Sequence, residues 1–105
     1  MTTTPTNVRL GSTYRITVPF YALSDGTTLT DLDAPPTLQA YDIAGTTAIG
    51  SAVTCTRDSA GTYHGDLEIS SPTFAVNTGY MWKMAGLSGT KAQDQTGYFV
   101  VMVVV

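Results

Sequence analysis

Apolar and polar residues alternate along most of this chain, and the alternation has the period of extended strands. Between Thr13 and Tyr21, Tyr14, Ile16, Val18 and Phe20 fall on one side, and Arg15 and Thr17 on the other. A period of two sends successive side chains to opposite faces of a pleated strand. The pattern returns between Thr62 and Ile69, where Tyr63, Leu67 and Ile69 point one way and His64, Asp66 and Glu68 the other. Tyr80, Trp82 and Met84 share a side of a segment ending at Leu87. Residues 37–43 and 52–57 predict two more strands, the second with Val53 and Cys55 opposite Thr54 and Thr56. Residues 27–33 read as a short strand or an extended loop, and residues 73–76 as a single helical turn or a bend. Pro19 cannot donate to a ladder, so it marks an edge, a bulge or a switch between sheets.

Turn residues punctuate these runs at Ser24-Asp25-Gly26, Ala44-Gly45, Asp58-Ser59-Ala60-Gly61 and Ser88-Gly89. Nothing longer than a turn or two carries the i, i+3, i+4, i+7 spacing of a helix. About seven short strands, with turns every 10 to 15 residues or so and one Trp within a strand, predict an all-β fold. The specific expectation is an immunoglobulin-like antiparallel β-sandwich over residues 8–105, preceded by an N-terminal arm, residues 1–7. A chain of 105 residues fits one such domain.

The last strand, residues 96–105, departs from the alternation. Tyr98, Phe99, Val100, Val101, Met102, Val103, Val104 and Val105 are apolar on both sides. A sandwich strand ordinarily keeps one polar, solvated face. Either a loop of the same chain covers the second face, or another subunit buries that face or the strand edge. The second alternative predicts an interface formed by Thr3, Pro5 and Val8 of the arm region with Tyr98, Val101, Val103 and Val105. Burying three or four valine-sized side chains contributes on the order of 5–10 kcal/mol before entropy costs.

Composition narrows the functional classes. Hydrophobic residues make up 43% and charged residues 12% of the chain. The polar surface is therefore built mainly from uncharged residues, and β-branched threonine fits a half-buried pleated surface. The net charge is −3, and Arg9, Arg15, Arg57, Lys83 and Lys91 are scattered. Binding nucleic acid or an anionic membrane requires a basic patch, so neither is expected as a partner. The single cysteine, Cys55, permits no internal disulfide, which suggests synthesis in a reducing cytoplasm. The first residues carry no signal-peptide pattern, and no run of about 18 apolar residues predicts a membrane span.

Candidate chemistry is sparse. His64 is the only histidine and stands on the polar side of its strand, and Cys55 stands on an apolar side. Neither spacing suggests a nucleophile–base pair. Zinc requires clustered Cys and His, whereas Asp25, Asp31 and Asp33 offer oxygen ligands for calcium without the full loop of an EF-hand. Asp66 and Glu68 share a strand face about 7 Å apart, but a glycosidase pair needs a cleft and an acid of raised pKa. The expectation is no catalytic residue, no metal and no cofactor. Tyr21, Tyr41 and Tyr98 are candidates for an interface anchor or a sugar platform.

Five segments together resemble a known group: Gly11-Ser-Thr-Tyr-Arg-Ile-Thr-Val, Asp25-Gly-Thr-Thr-Leu-Thr-Asp-Leu, Asp58-Ser-Ala-Gly-Thr-Tyr-His-Gly-Asp-Leu, Thr78-Gly-Tyr-Met-Trp-Lys-Met and Thr96-Gly-Tyr-Phe-Val-Val. This pattern resembles the small immunoglobulin-like domains of tailed-bacteriophage virion proteins, including baseplate and fibre modules, over about residues 8–103. The resemblance implies a non-enzymatic structural subunit, a capsid decoration or a neck or tail accessory protein, made in the host cytoplasm and carried in the virion. Its partners would be other virion proteins, as a homo-oligomer or within a larger assembly. The alternative is a carbohydrate- or cell-surface-binding sandwich module, such as an adhesin or fibre domain.

Overall fold

The computed structural model describes residues 6–22 and 24–102. Eight strands follow one another: β1 (Thr6–Arg9), β2 (Thr13–Pro19), β3 (Thr37–Asp42), β4 (Ala48–Thr54), β5 (Thr56–Ser59), β6 (Thr62–Glu68), β7 (Thr78–Ser88) and β8 (Lys91–Met102). They form a five-stranded sheet in the order β1-β8-β7-β3-β4 and a three-stranded sheet in the order β2-β6-β5. Strands β2 to β8 follow the order of an immunoglobulin-like sandwich with β4 as an added edge strand, while β1 joins the larger sheet beside β8 rather than the smaller one beside β2. Two features differ from the sequence expectation. Residues 6 and 7 belong to a strand and not to an arm, and β1 runs parallel to β8, so the sandwich is not wholly antiparallel.

The alternation read from the sequence becomes the core. Ile16, Val18 and Phe20 from β2 and its end, and Tyr63, Leu67 and Ile69 from β6 and its end, are buried. They face Leu38 and Ala40 of β3, Tyr80 and Met84 of β7, and Phe99 and Val101 of β8. Phe74, on the turn after β6, closes the lower end. Its ring packs edge-on to Tyr80 at 5.0 Å and tilted to Phe99 at 6.0 Å, while Tyr80 stacks on Phe99 at 5.5 Å. Tyr14 meets Phe99 from the opposite sheet at 5.4 Å. Such contacts add about 0.5–1.5 kcal/mol each beyond simple burial.

The single strand expected over residues 52–57 is divided between two strands. β4 lies in the large sheet and β5 in the small one, and the chain crosses between them at Cys55, whose amide donates to the Pro36 carbonyl at 2.8 Å. Pattern alone suggested a single strand because side chains alternate on both sides of the crossing. β8 also begins earlier than expected, at Lys91, because the Gly89-Thr90 turn pairs it with β7 over eleven consecutive positions. Both turn residues have positive φ, 57° and 69°, as a tight hairpin of this twist requires.

Aspartates fasten the loops at the upper end. Gly89 and Thr90 donate their amides to the Asp33 carboxylate, at 3.0 and 3.1 Å. Asp31 accepts from the Gly61 amide at 2.8 Å and from Arg57 at 3.0 Å. Asp25 accepts from the amides of Thr27 and Thr28 and from the Thr28 hydroxyl. Asp42 does the same for the β3–β4 turn through Thr46 and Thr47.

Donors held against ionised carboxylates favour the charged form. Hydrogen bonds from Thr28 and Thr27 hold Asp25 at about 2. Asp31, Asp33 and Asp42 are also lowered, mainly by Arg57, by the Gly89 amide and by the Thr47 amide respectively. A lowered folded pKa gives stability that is complete above the unfolded value, about 3.9, and is lost as pH falls through the folded values. We therefore expect a melting temperature nearly constant from neutral pH down to about 5, then falling between about pH 4 and 2. Circular dichroism melts across that range check it, and Asp33→Asn should flatten part of the fall.

A second expectation concerns Gly97, which pairs with Trp82 across β7 and β8. A Cβ at Gly97 would stand 2.5 Å from the indole. Gly97→Ala should displace the ring, cost about 1–3 kcal/mol and shift the single-Trp fluorescence.

Candidate functional site

The two sheets present very different outer surfaces. On the three-stranded sheet, Thr13, Arg15 and Thr17 of β2 lie beside Glu68, Asp66 and His64 of β6 in register. Arg15 grips Asp66 through two bonds, at 2.9 and 3.1 Å, and His64 Nδ1 contacts Asp58 of β5. Charges and hydroxyls thus cover this face and keep it solvated.

The five-stranded sheet is bare by comparison. Its strands pair so that Tyr41 of β3, Met81 of β7 and Tyr98 of β8 form one row across three strands. The next row places Gly79 beside Val100 and then Asn7 of β1. Ile43, after β3, leans over Gly79, and the Met81 thioether rests near Gly45. Tyr98 is 42% exposed, Met102 43% and Ile43 55%. Charge enters this face in the row next to Met81, where Lys83 on the central strand β7 pairs with Asp94 of β8 at 3.4 Å, and Arg9 stands on the edge strand β1. The result is a largely apolar, half-exposed face, lapped along one side by the β3–β4 turn through Ile43 and Gly45.

The sequence-predicted interface residues divide between this face and the core. Tyr98 lies on the open face. Val8 and Val101 do not: they are 6% and 0% exposed, because each turns inward from its strand against the opposing sheet. Both are core residues, which corrects the expectation that they reach a partner. Thr3, Pro5, Val103 and Val105 lie outside the described residues. Sequence reasoning missed Met81 and Ile43. Met81 occupies the out-facing position between Tyr80 and Trp82, and that phase was the signal available for it. Of the three unsettled tyrosines, Tyr41 and Tyr98 come together. Tyr21 sits apart, bridged to Leu29 beyond the end of β2.

The candidate reactive groups have ordinary environments. Cys55 is 3% exposed, and burial pushes its thiol up to about 11, away from the reactive thiolate. Asp66 and Glu68 do border a cleft of about 330 Å³, floored by Leu67 and Phe74 and walled by Ile49 and Val53. Arg15 holds the Asp66 carboxyl below the usual range, the opposite of what a general acid requires. The three aspartates weighed for calcium spend their oxygens on backbone amides and Arg57 in separate turns, and no group of three potential ligands gathers among the described residues. No helix among the described residues is long and apolar enough to cross a membrane.

Maleimide or disulfide reagents should label Cys55 at a rate limited by opening of the fold. Thiol labelling in rising denaturant, tracking the unfolding curve, checks this; complete labelling of the native protein within seconds would contradict it. Comparison with protein-family models, curated proteins and solved structures found no match.

Proposed function

We propose that this chain is a non-enzymatic structural subunit of a tailed-phage particle, attached through the outer face of its five-stranded sheet. The observation that carries the proposal is the Tyr41–Met81–Tyr98 row, an uncharged strip across three strands in which Tyr98 is exposed and Tyr41 and Met81 are half-buried. Exposed apolar surface in a soluble domain marks contact sites, and tyrosine supplies anchors that are apolar in body and polar at the tip. The segments that resemble virion immunoglobulin-like domains point the same way. Decoration of a capsid and attachment at the neck or tail both fit.

Size shapes the mode of binding. Three strands at about 4.8 Å spacing and two or three rows at about 7 Å give a patch on the order of 300 Å². A stable standard interface takes about 800 Å² from each partner. The face alone therefore supports a weak contact, which many copies on a repeating particle convert to firm attachment.

A second reading, a glycan-binding module, draws on the same row. Tyr41 and Tyr98 flank Met81 two strand spacings apart, roughly 10 Å, which suits two rings stacking on a sugar chain.

The decisive variant is Met81→Asp with Tyr98→Ser. Both positions face outward, so the melting temperature should stay within a few degrees of the parent. Incorporation into purified particles should fall at least about tenfold, as expected for a charge placed in an apolar contact. Full incorporation of the variant would remove this face from the proposal. Glycan-array binding that disappears with Tyr98→Ser would favour the second reading.

A further inference from the structure

Strand β6 is one neighbour short over its lower half. At its upper end the Phe20 amide donates to the Gly61 carbonyl at 2.7 Å. At its lower end the Gly11 amide donates to the Ile69 carbonyl at 2.6 Å, and the Ile69 amide to the Ser12 carbonyl at 2.9 Å. The β2–β6 register between these points is unbroken. A strand residue sends its N–H and C=O to one side, and the next residue sends its own to the other. Tyr63, Gly65 and Leu67 therefore turn their backbone groups to β2, and His64, Asp66 and Glu68 turn theirs away from it. β5 begins at Thr56, the partner of His64, and does not extend past it. Among the described residues, no group bonds the backbone N–H and C=O of Asp66 and Glu68.

These backbone groups open on the cleft of about 330 Å³ between β6 and β4. The cleft is part polar and part apolar, and the two parts are arranged as an added strand requires. Along β6 the polar part is backbone, because Arg15 holds the Asp66 carboxylate and Thr13 the Glu68 carboxylate on the outer face of the small sheet. The apolar part is the floor of Leu67 and Phe74 and the wall of Ile49 and Val53. Cys55 closes the upper end, its sulfur 3.0 Å from where a Cβ of Gly65 would stand. Thr73 closes the lower end, its methyl 3.3 Å from where a Cβ of Gly50 would stand. Between these stops, from Asp66 to Ser70, β6 runs for about 14 Å, room for about four extended residues.

We propose that this groove receives an extended segment of a partner protein, about four residues long and apolar at every second position, added antiparallel to β6 in the place that β5 vacates. An extended backbone offers N–H and C=O groups at the repeat of about 7 Å that separates Asp66 from Glu68. Residues of the segment opposite Asp66 and Glu68 bond to them and keep their own side chains outside. The residues between send theirs inward to Leu67 and Phe74, where a valine or isoleucine fits. The backbone bonds set direction and register, and the inward side chains set the preference for sequence. The edge is recessed beside β4, so it admits one strand and not the flat edge of another sheet, which limits aggregation. This contact uses neither Tyr41, Met81 nor Tyr98, so it stands or falls independently of the proposed particle-binding face.

Amide hydrogen exchange of the full chain, followed by NMR, tests it. In the free chain Asp66 and Glu68 should exchange far faster than Gly65 and Leu67, although all four lie in one strand. The probe is the peptide acetyl-Thr-Val-Thr-Val-Thr-amide. At millimolar concentration it should shift the amide signals of Asp66 and Glu68 more than any outside the groove, and at about nine-tenths occupancy it should slow their exchange about tenfold. The same peptide N-methylated at its threonines, whose amides face β6 in this arrangement, should do neither. Ser51→Trp, which fills the groove from the β4 side, should abolish both effects, with circular dichroism confirming its fold, and Met81→Asp should leave them intact. Asp66 and Glu68 amides as protected as Leu67 in the free chain would overturn the proposal. So would a millimolar peptide that leaves both amides unmoved, an N-methylated peptide that acts like its parent, or undiminished binding to a folded Ser51→Trp chain.

Discussion

The sandwich depends on the absence of a side chain at Gly65. At that point in β6, the Leu38 side chain from the opposite sheet and the Cys55 sulfur occupy the space where a Cβ would stand, at 2.8 and 3.0 Å. The two sheets are closely packed there, and the chain passes from one to the other beside it. Because β4 leaves its sheet at Cys55, β5 can accompany β6 only from Thr62 to His64. The lower half of β6 then has β2 on one side and no strand of the described residues on the other. The cleft beside Asp66 and Glu68 is thus a geometric consequence of where the crossing falls. A crossing placed lower would let β5 fill it.

Charge is distributed according to a related economy. A chain with few ionised groups must place them where they do most for folding. Most of its aspartates hold turns, because an ionised carboxylate is the strongest acceptor available for a pair of loop amides. Others pair across the small sheet. Few remain to solvate the outside of the large sheet, and the two rows below Lys83 are left to Tyr41, Met81 and Tyr98 and to Gly79 and Val100. The edges, by contrast, are guarded. β4 carries a bulge around Gly50, with φ of 73°, where the Gln39 amide satisfies the Ile49 and Gly50 carbonyls. β5 is four residues long, and β2 ends at Pro19. Short, bulged and proline-ended edges discourage strand-by-strand aggregation.

The parts of this structure legible in the sequence are those governed by alternation. Tyr14 to Phe20 and Tyr63 to Ile69 divide into inner and outer faces as their period requires, and the all-β class follows. Positions governed by register were not legible. Whether Val101 or Val100 faces the core depends on the phase of β8, and eight consecutive apolar residues conceal that phase. Thr6 and Asn7 read as part of an arm, and Val8 as a contact residue beside it, because a strand of four residues is too short to show a period and pairs only with β8. The crossing at Cys55 is equally silent, since a chain changing sheets keeps its local pattern. The candidate site was half legible. Tyr98 and Tyr41 stood out as unplaced aromatics, but their shared row with Met81 exists only once three strands are aligned.

That row also bears on how the chain would assemble. A flat face joined to its own mate buries two equal small areas, and the sum falls short of a durable interface. Strength must come from repetition, and repetition needs either a partner lattice or a second contact that orders copies beside one another. On a repeating particle the lattice itself would supply that order: each bound copy would hold its Tyr41–Met81–Tyr98 row at a fixed interval from the next, and many weak contacts would add up to firm attachment. A patch this small leaves a lone copy dispersed, which suits a chain whose surface is too sparsely charged to tolerate a large permanent apolar patch.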